Sequence, residues 1–255
     1  MIKNRLIKGD NVEVLKEMES GVVDLTVTSP PYDNLRDYKG GGEWNFEALA
    51  AELFRVTAKG GVLVWVVGDA TINGSESGSS FKQALFLKNE VGFTLHDTMI
   101  YQKVGLNFTP KNKYYQTFEY MFVFSKGPPK TFNPIQVDRT GHQYGSVGTA
   151  ARGTKKKVEY DSAKTTRNAG NIWKIPNQSH NATKDLIAYQ HPAIFPEKLA
   201  QDHILSWSNE GDLVLDPFLG SGTTAKMAKK NGRFYIGIDK SQEYLDIAAT
   251  RLELL

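Results

Sequence analysis

The run Asp216-Pro217-Phe218-Leu219-Gly220-Ser221-Gly222-Thr223-Thr224 constrains this chain most: an apolar stretch, Leu213–Leu215, ends in an acid and a glycine turn, and a helical pattern starts at once. Glycines at such a junction let the backbone turn tightly and bring a ligand against the first amides of the helix. A second apolar run, Phe234–Ile238, leads into Asp239, at the spacing where a carboxylate hydrogen-bonds ribose hydroxyls. Together they describe a nucleoside-containing ligand at the carboxyl ends of a sheet. The turn begins at residue 216 of 255, so the sheet has to be completed by strands from the N-terminal part.

Those strands are legible as short β-branched apolar runs alternating with helical periodicity, the pattern of a mostly parallel sheet with helices on both faces. The pattern predicts strands over Val23–Val27, Val62–Val67, Thr94–Gln102, Glu119–Phe124, Leu213–Leu215 and Phe234–Ile238. It predicts helices over Asn11–Met18, Asn45–Thr57, Ser80–Glu90, Glu197–Trp207, Gly222–Lys230 and Gln242–Leu252. From about residue 128 to 189 periodicity gives way to Gly, Thr, Asn, Lys and isolated aromatics, which reads as an insertion within one domain of residues 1–255. No apolar run approaches the roughly 20 residues that span a bilayer. The opening Met1–Asp10 has basic residues but no apolar core behind them, so a cytoplasmic protein without membrane attachment is expected.

The turn formally fits a dinucleotide fingerprint, since Gly220-Ser221-Gly222-Thr223-Thr224-Ala225 reads G-x-G-x-x-A. Asp216 argues against that reading, because an acid at the strand end repels a pyrophosphate but pairs with a cationic amino group. No G-x-x-x-x-G-K-[ST] is present, which sets aside a P-loop nucleotidase. A second loop, Thr28-Ser29-Pro30-Pro31-Tyr32, follows the predicted strand at Val23–Val27. Its two prolines fix φ and remove two donors, leaving rigid carbonyls beside an aromatic face. Such a loop can accept hydrogen bonds from an amino group while a planar ring stacks on Tyr32.

Taken in order, these segments resemble the S-adenosylmethionine-dependent, amino-directed DNA methyltransferases of the permuted beta class, along nearly the whole chain. Gly9-Asp10 and Val23-Asp24-Leu25 running into Thr28–Tyr32 are similar to that family's N-terminal signature. Glu119–Lys126 resembles its last conserved strand, His191–Leu199 the motif before the cofactor loop, and Asp216–Thr224 the loop itself. The resemblance implies a Rossmann-like, circularly permuted class I methyltransferase fold with a target-recognition insertion at about 128–189. It implies that Asp216, Phe218, Gly220, Ser221, Gly222 and Thr223 surround S-adenosylmethionine and that Asp239 holds its ribose. Asp10 would contact the adenine amino group, with Phe195 and Pro196 lining the pocket. Ser29, Pro30, Pro31 and Tyr32 would form the catalytic loop on the target base. The implied partner is double-stranded DNA, with a cognate restriction endonuclease on another chain as a further candidate. Monomer and homodimer both stay open.

The chain has no cysteine. Methylation at cytosine C5 needs a thiolate nucleophile, so the acceptor is expected to be an exocyclic nitrogen. Ser29 and the Pro30 carbonyl would accept the amino hydrogens, raise electron density on nitrogen and aim it at the sulfonium methyl of a base flipped out of the duplex. No metal is required by that chemistry, and His142, His180 and His191 lack ligand spacing. Within the family a serine at the first loop position is associated with cytosine N4 and an aspartate with adenine N6. Cytosine N4 is therefore the expectation, adenine N6 the alternative, with a dinucleotide-binding oxidoreductase or a non-catalytic DNA-binding module as remoter ones.

Charge is unevenly spread. Lys130–Gln190 holds ten Lys or Arg against four Asp or Glu, a net +6, which leaves −3 for the rest of a chain whose total is +3. Tyr144, Tyr160 and Trp173 interleave with these cations, and Arg152, Lys155, Lys156, Lys157 and Arg167 are candidates for phosphate contact.

Overall fold

The structure, a computed structural model, describes residues 3–31, 44–104, 111, 113–138, 165–176 and 182–255. It divides into two compact units, Met1–Asn133 with Asn171–Leu255, and Pro134–Gly170.

In the larger unit the chain runs β1 (Arg5–Lys8), α1 (Asn11–Lys16), β2 (Val23–Thr28), α2 (Phe46–Val56) and β3 (Thr57–Val67). A two-stranded hairpin of β4 (Thr71–Ile72) and β5 (Ser75–Glu76) leads to α3 (Ser79–Asn89), β6 (Thr94–Val104) and β7 (Phe118–Ser125). The smaller unit contains β8 (Gln136–Asp138) paired antiparallel with β9 (Thr166–Asn168). The larger unit resumes with β10 (Ile172–Pro176), a 3-10 turn at Leu186–Gln190, α4 (Glu197–Trp207), β11 (Leu213–Asp216), α5 (Thr223–Lys230), β12 (Phe234–Asp239) and α6 (Gln242–Glu253). No helix among the described residues is long and apolar enough to cross a membrane.

Eight strands form one sheet in the order β1-β12-β11-β2-β3-β7-β6-β10. Only β7 runs against the rest, pairing antiparallel with β3 and β6. The expected α/β architecture is thus present, and β11 and β12, last in sequence, sit beside β2 from the N-terminal part. Strand alternation explains why β3 reads as continuously apolar. Val62, Val64 and Val66 enter the core under α4, α5 and α6, while Leu63, Trp65 and Val67 enter the core under α1, α2 and α3.

Local chemistry sets the helix starts. Asn45 accepts a hydrogen bond from Ala48 N–H at 3.0 Å, so α2 begins after it, and Ser241 caps α6 through Tyr244 N–H. Strand β3 starts at Thr57, earlier than the apolar run at Val62, because Thr57 pairs with Val23 before a bulge shifts the register. Two edge strands escaped the periodicity. β1 and β10 are short, and β10 ends on Pro176, which an edge strand tolerates. The segment read as an insertion over 128–189 is divided in the structure. Its middle is the small unit, but β10 joins the main sheet beside β6, and residues 182–189 pack within the larger unit.

Candidate functional site

A cavity of about 510 Å³ opens in the larger unit where β2, β11 and β12 end. The two loops singled out in the sequence meet there. Ser29, Pro30 and Pro31 line one part, and Asp216, Phe218, Gly220, Ser221 and Thr223 line another. Tyr32 lies outside the described residues.

The loops are joined by hydrogen bonds across nearly the whole chain length. Thr28 Oγ1 donates to Asp216 Oδ1 at 2.7 Å, Thr224 Oγ1 donates to the Val27 carbonyl at 3.1 Å, and Asn11 Nδ2 donates to the Pro217 carbonyl at 3.3 Å. Asp216 is buried and also accepts from Phe218 N–H at 3.1 Å. Burial pushes its carboxyl up to about 6, the neighbouring charge of Asp239 adds to the rise, and the hydrogen bonds only partly offset it. Asp239 is likewise raised by burial, although it accepts from Gly220 N–H at 2.9 Å and Ser241 N–H at 2.8 Å. Two partly desolvated acids beside a glycine turn suit a ligand bearing positive charge and hydroxyl donors.

Glycine is required in this turn. Gly220 has φ +50°, and a Cβ there would stand 2.9 Å from His191 Nε2. Gly222 has φ +81°, and its Cβ would meet Ala248 Cβ at 2.5 Å. Gly222 therefore serves the packing of α5 on α6 and is not among the residues lining the cavity.

Asp10 sits at the start of α1. Its neighbours Gly9 and Asn11 line the cavity, but Asp10 accepts from Val12 and Glu13 N–H as the cap of α1 and pairs with Lys240 at 2.9 Å. Burial raises its carboxyl, yet Lys240 and the helix amides outweigh that and hold it below the ordinary range. Phe195 and Pro196 line the cavity, together with Tyr189, His191 and Tyr244. The His191 ring packs edge-on against Tyr244, with centroids 4.3 Å apart.

Behind the glycine turn is a buried ionic frame that motif reading missed. Arg251, fully buried on α6, pairs with Asp185 at 3.0 Å and Glu197 at 2.8 Å and donates to Ser221 O at 2.7 Å and Thr223 Oγ1 at 2.9 Å. Lys226 pairs with the same two acids at 2.6 and 2.8 Å. Burial raises both acids, but their cations outweigh it and keep them charged. A frame of this kind ties α5, α6 and the 182–197 segment to one geometry.

The far wall was also missed. Tyr101 and Lys103 on β6 and Glu119 on β7 line the cavity, with Lys103 Nζ 2.6 Å from Glu119 Oε1. Alternation puts Tyr101 and Lys103 on one face, and Tyr101 pairs with Glu119 in register. Only that antiparallel register brings them together. Of the basic candidates, Arg167 is exposed on β9 of the small unit, while Arg152, Lys155, Lys156 and Lys157 fall outside the described residues, as do Tyr144, Tyr160, His142 and His180.

A family model for N6/N4 methyltransferases, described as DNA methylase, matches residues 23–250. The orphan methyltransferase M.BamHII of Bacillus amyloliquefaciens is 58% identical over 91% of this chain and 89% of its own length. The DNA adenine methyltransferase YhdJ of Escherichia coli K12 is 29% identical over 98% of this chain and 82% of its own. In structure, the cytosine-N4-specific PvuII DNA methyltransferase superposes with a TM-score of 0.73 over 98% of this chain and 86% of that one, at 20% identity, a likeness of fold.

Proposed function

Because this chain belongs to the N6/N4 DNA methylase family, we propose that it transfers the methyl group of S-adenosylmethionine to the exocyclic N4 of cytosine in double-stranded DNA. The observation that carries this reading is the shared cavity: Ser29–Pro31 and the Asp216–Thr224 turn line one space, sewn together by Thr28 and Asp216.

S-adenosylmethionine supplies an activated methyl on a cationic sulfonium. The donor set fits such a ligand, because two acids, buried Asp216 and half-buried Asp239, face a cavity walled by Phe195, Pro196 and Phe218. Asp216 holds positive charge at the turn, and Asp239 offers acceptor oxygens to hydroxyls. Ser29 and the Pro30 carbonyl accept hydrogen bonds from the amino group of the base. They orient its nitrogen lone pair and draw density towards it, as an arylamine requires before it can act as a nucleophile. Proline rigidity holds those acceptors without reorganisation. Tyr32 is assigned the stacking face for the flipped ring.

Serine at position 29 supports cytosine N4. The YhdJ likeness makes adenine N6 the competing outcome. We assign sequence recognition to the basic stretch within 128–189, with Arg152, Lys155–Lys157 and Arg167 on phosphates, so DNA affinity should fall steeply between low and physiological salt. A cognate endonuclease on another chain remains a proposal against which the orphan label of the M.BamHII relative weighs.

The test is incubation with isotopically labelled S-adenosylmethionine and unmethylated bacteriophage DNA, nuclease digestion and mass spectrometry of the nucleosides. Labelled N4-methylcytosine is expected. N6-methyladenine would replace the base assignment, and no methylated nucleoside from folded protein would overturn the reading. Ser29→Ala is expected to lower kcat by roughly 10- to 1,000-fold while leaving cofactor affinity unchanged.

A further inference from the structure

Among the described residues, five buried side-chain polar atoms have no hydrogen-bond partner: Thr26 Oγ1, Tyr101 OH, Ser125 Oγ, His203 Nδ1 and Trp207 Nε1. Tyr101 alone of these residues lines the cavity. The residue is 2% exposed and borders the cavity with its hydroxyl unpaired. Buried polar groups in native proteins are almost always paired, and an orphan beside a ligand cavity calls for a partner that arrives with the ligand.

The surroundings define that partner. Burial, and then the negative charge of Glu119, push the phenol pKa upwards, so at neutral pH Tyr101 keeps its proton and can donate. Glu119, paired across the strands with Tyr101, is already drawn into an ion pair with Lys103 at 2.6 Å. The same cavity holds Ser29 and Pro30, whose oxygens take the amino group of the base. An amino-bearing base carries, on the ring atom next to that carbon, an unprotonated nitrogen: N3 in cytosine and N1 in adenine. That nitrogen is an acceptor lying close to the amino group and in the plane of the ring.

We propose that Tyr101 is a specificity-determining residue whose hydroxyl donates to this ring nitrogen, while the Lys103–Glu119 pair holds the β6–β7 wall in place. The inference rests on the methyl-transfer reading above and names the group that reads the ring edge at the same site. Base selection then has two parts. Ser29 and Pro30 require amino hydrogens, and Tyr101 requires a lone pair beside them. A uracil, thymine or hypoxanthine ring fails both requirements, because it carries an oxygen in place of the amino group and an N–H in place of the lone pair. No covalent step involves Tyr101.

Tyr101→Phe removes the hydroxyl and keeps the ring. It is expected to melt at the same or a higher temperature than the wild type, to bind S-adenosylmethionine within about twofold of it, and to show kcat/KM on DNA lower by roughly 10- to 100-fold. A structural tyrosine would move the melting temperature, and a cofactor-binding one the cofactor affinity. Once the methylated site is mapped, a duplex with the target ring nitrogen replaced by C–H, 3-deazacytosine or 1-deazaadenine, should cost the wild type a similar factor and cost Tyr101→Phe nothing further. Full activity of Tyr101→Phe, loss of cofactor affinity, a lowered melting temperature, or equal deaza penalties in both proteins would each overturn the assignment. A wild type that binds S-adenosylmethionine yet methylates no DNA overturns the methyl-transfer reading instead.

Discussion

The two walls of the cavity are built on opposite terms. On the glycine-turn side the ionic frame behind the turn is paired within the protein: Arg251 and Lys226 share Asp185 and Glu197, and the Arg251 guanidinium also holds Ser221 O and Thr223 Oγ1. On the β6–β7 side one ion pair, Lys103–Glu119, stands beside a buried phenol with no partner. The difference separates a seat completed by folding from a surface completed by its ligand. A fully paired buried network rigidifies, whereas an unpaired group costs stability until something arrives to use it.

The largest expected effect comes from breaking the paired side. Arg251→Met leaves two half-buried carboxylates, Asp185 and Glu197, short of a cation and should destabilise the fold by about 3–5 kcal/mol, lowering the melting temperature by roughly 10 °C in thermal unfolding. If the melt stays within a degree or two of wild type, the frame does not hold that wall. Gly222→Ala should follow, with a loss of several degrees, because its Cβ would stand 2.5 Å from Ala248 Cβ at φ +81°.

Asp216→Asn sharpens the contrast within the turn itself. The amide oxygen can still accept from Thr28 and Phe218, and the cost of a buried charge disappears. Stability at pH 7.5 should therefore hold or rise, while affinity for S-adenosylmethionine measured by calorimetry drops at least about tenfold. A variant that binds the cofactor normally would remove Asp216 from the charge-holding role.

Next is acid sensitivity in the core beneath β10. His203 is fully buried, with Nε2 3.2 Å from Met121 Sδ and its ring 4.5 Å from Trp173, and burial depresses its pKa from 6.5 to about 3. The unfolded chain takes up a proton below pH 6.5 that the folded one refuses, so stability falls as pH drops from 6.5 towards 3, by up to about 1.4 kcal/mol per unit. Asp216 acts in the opposite direction. Its folded value near 6 lies above the ordinary 3.8, so the fold gains as pH falls through that window. His203→Leu should flatten or reverse the decline between pH 6.5 and 5 in pH-dependent melts, and an unchanged slope would defeat the attribution. The smallest effect is reserved for the pair of exposed Lys198 with half-buried Asp202, where Lys198→Ala should cost no more than about 1 kcal/mol.

Legibility follows range. The strands that carry the cavity, β2, β11 and β12, were readable because β-branched runs bounded by turn residues are local signals. So were the two loops at their ends, each a compact run of glycine or proline. Asp10 shows the reach of local reading: its position before the helix α1 is visible in the sequence, but its pairing with Lys240 is not. Arg251, Tyr101 and Lys103 carry no motif, and Glu119 is legible only as the start of a strand. Arg251 meets Asp185 across 66 residues, and Lys103 meets Glu119 only through the register of an antiparallel pair.

The amino-acid sequence by itself determined the chemistry open to this protein: without cysteine no thiolate attack on a base, with Ser29-Pro30 a hydroxyl and a carbonyl beside a strand end, and with Asp216 and Asp239 two acids at strand ends. Tertiary structure alone decided which side chains surround those groups. Side-chain type and short-range spacing are properties of neighbours in the chain. A buried ion network and an unpartnered phenol exist only once strands and helices distant in sequence pack at atomic distance and water is excluded between them.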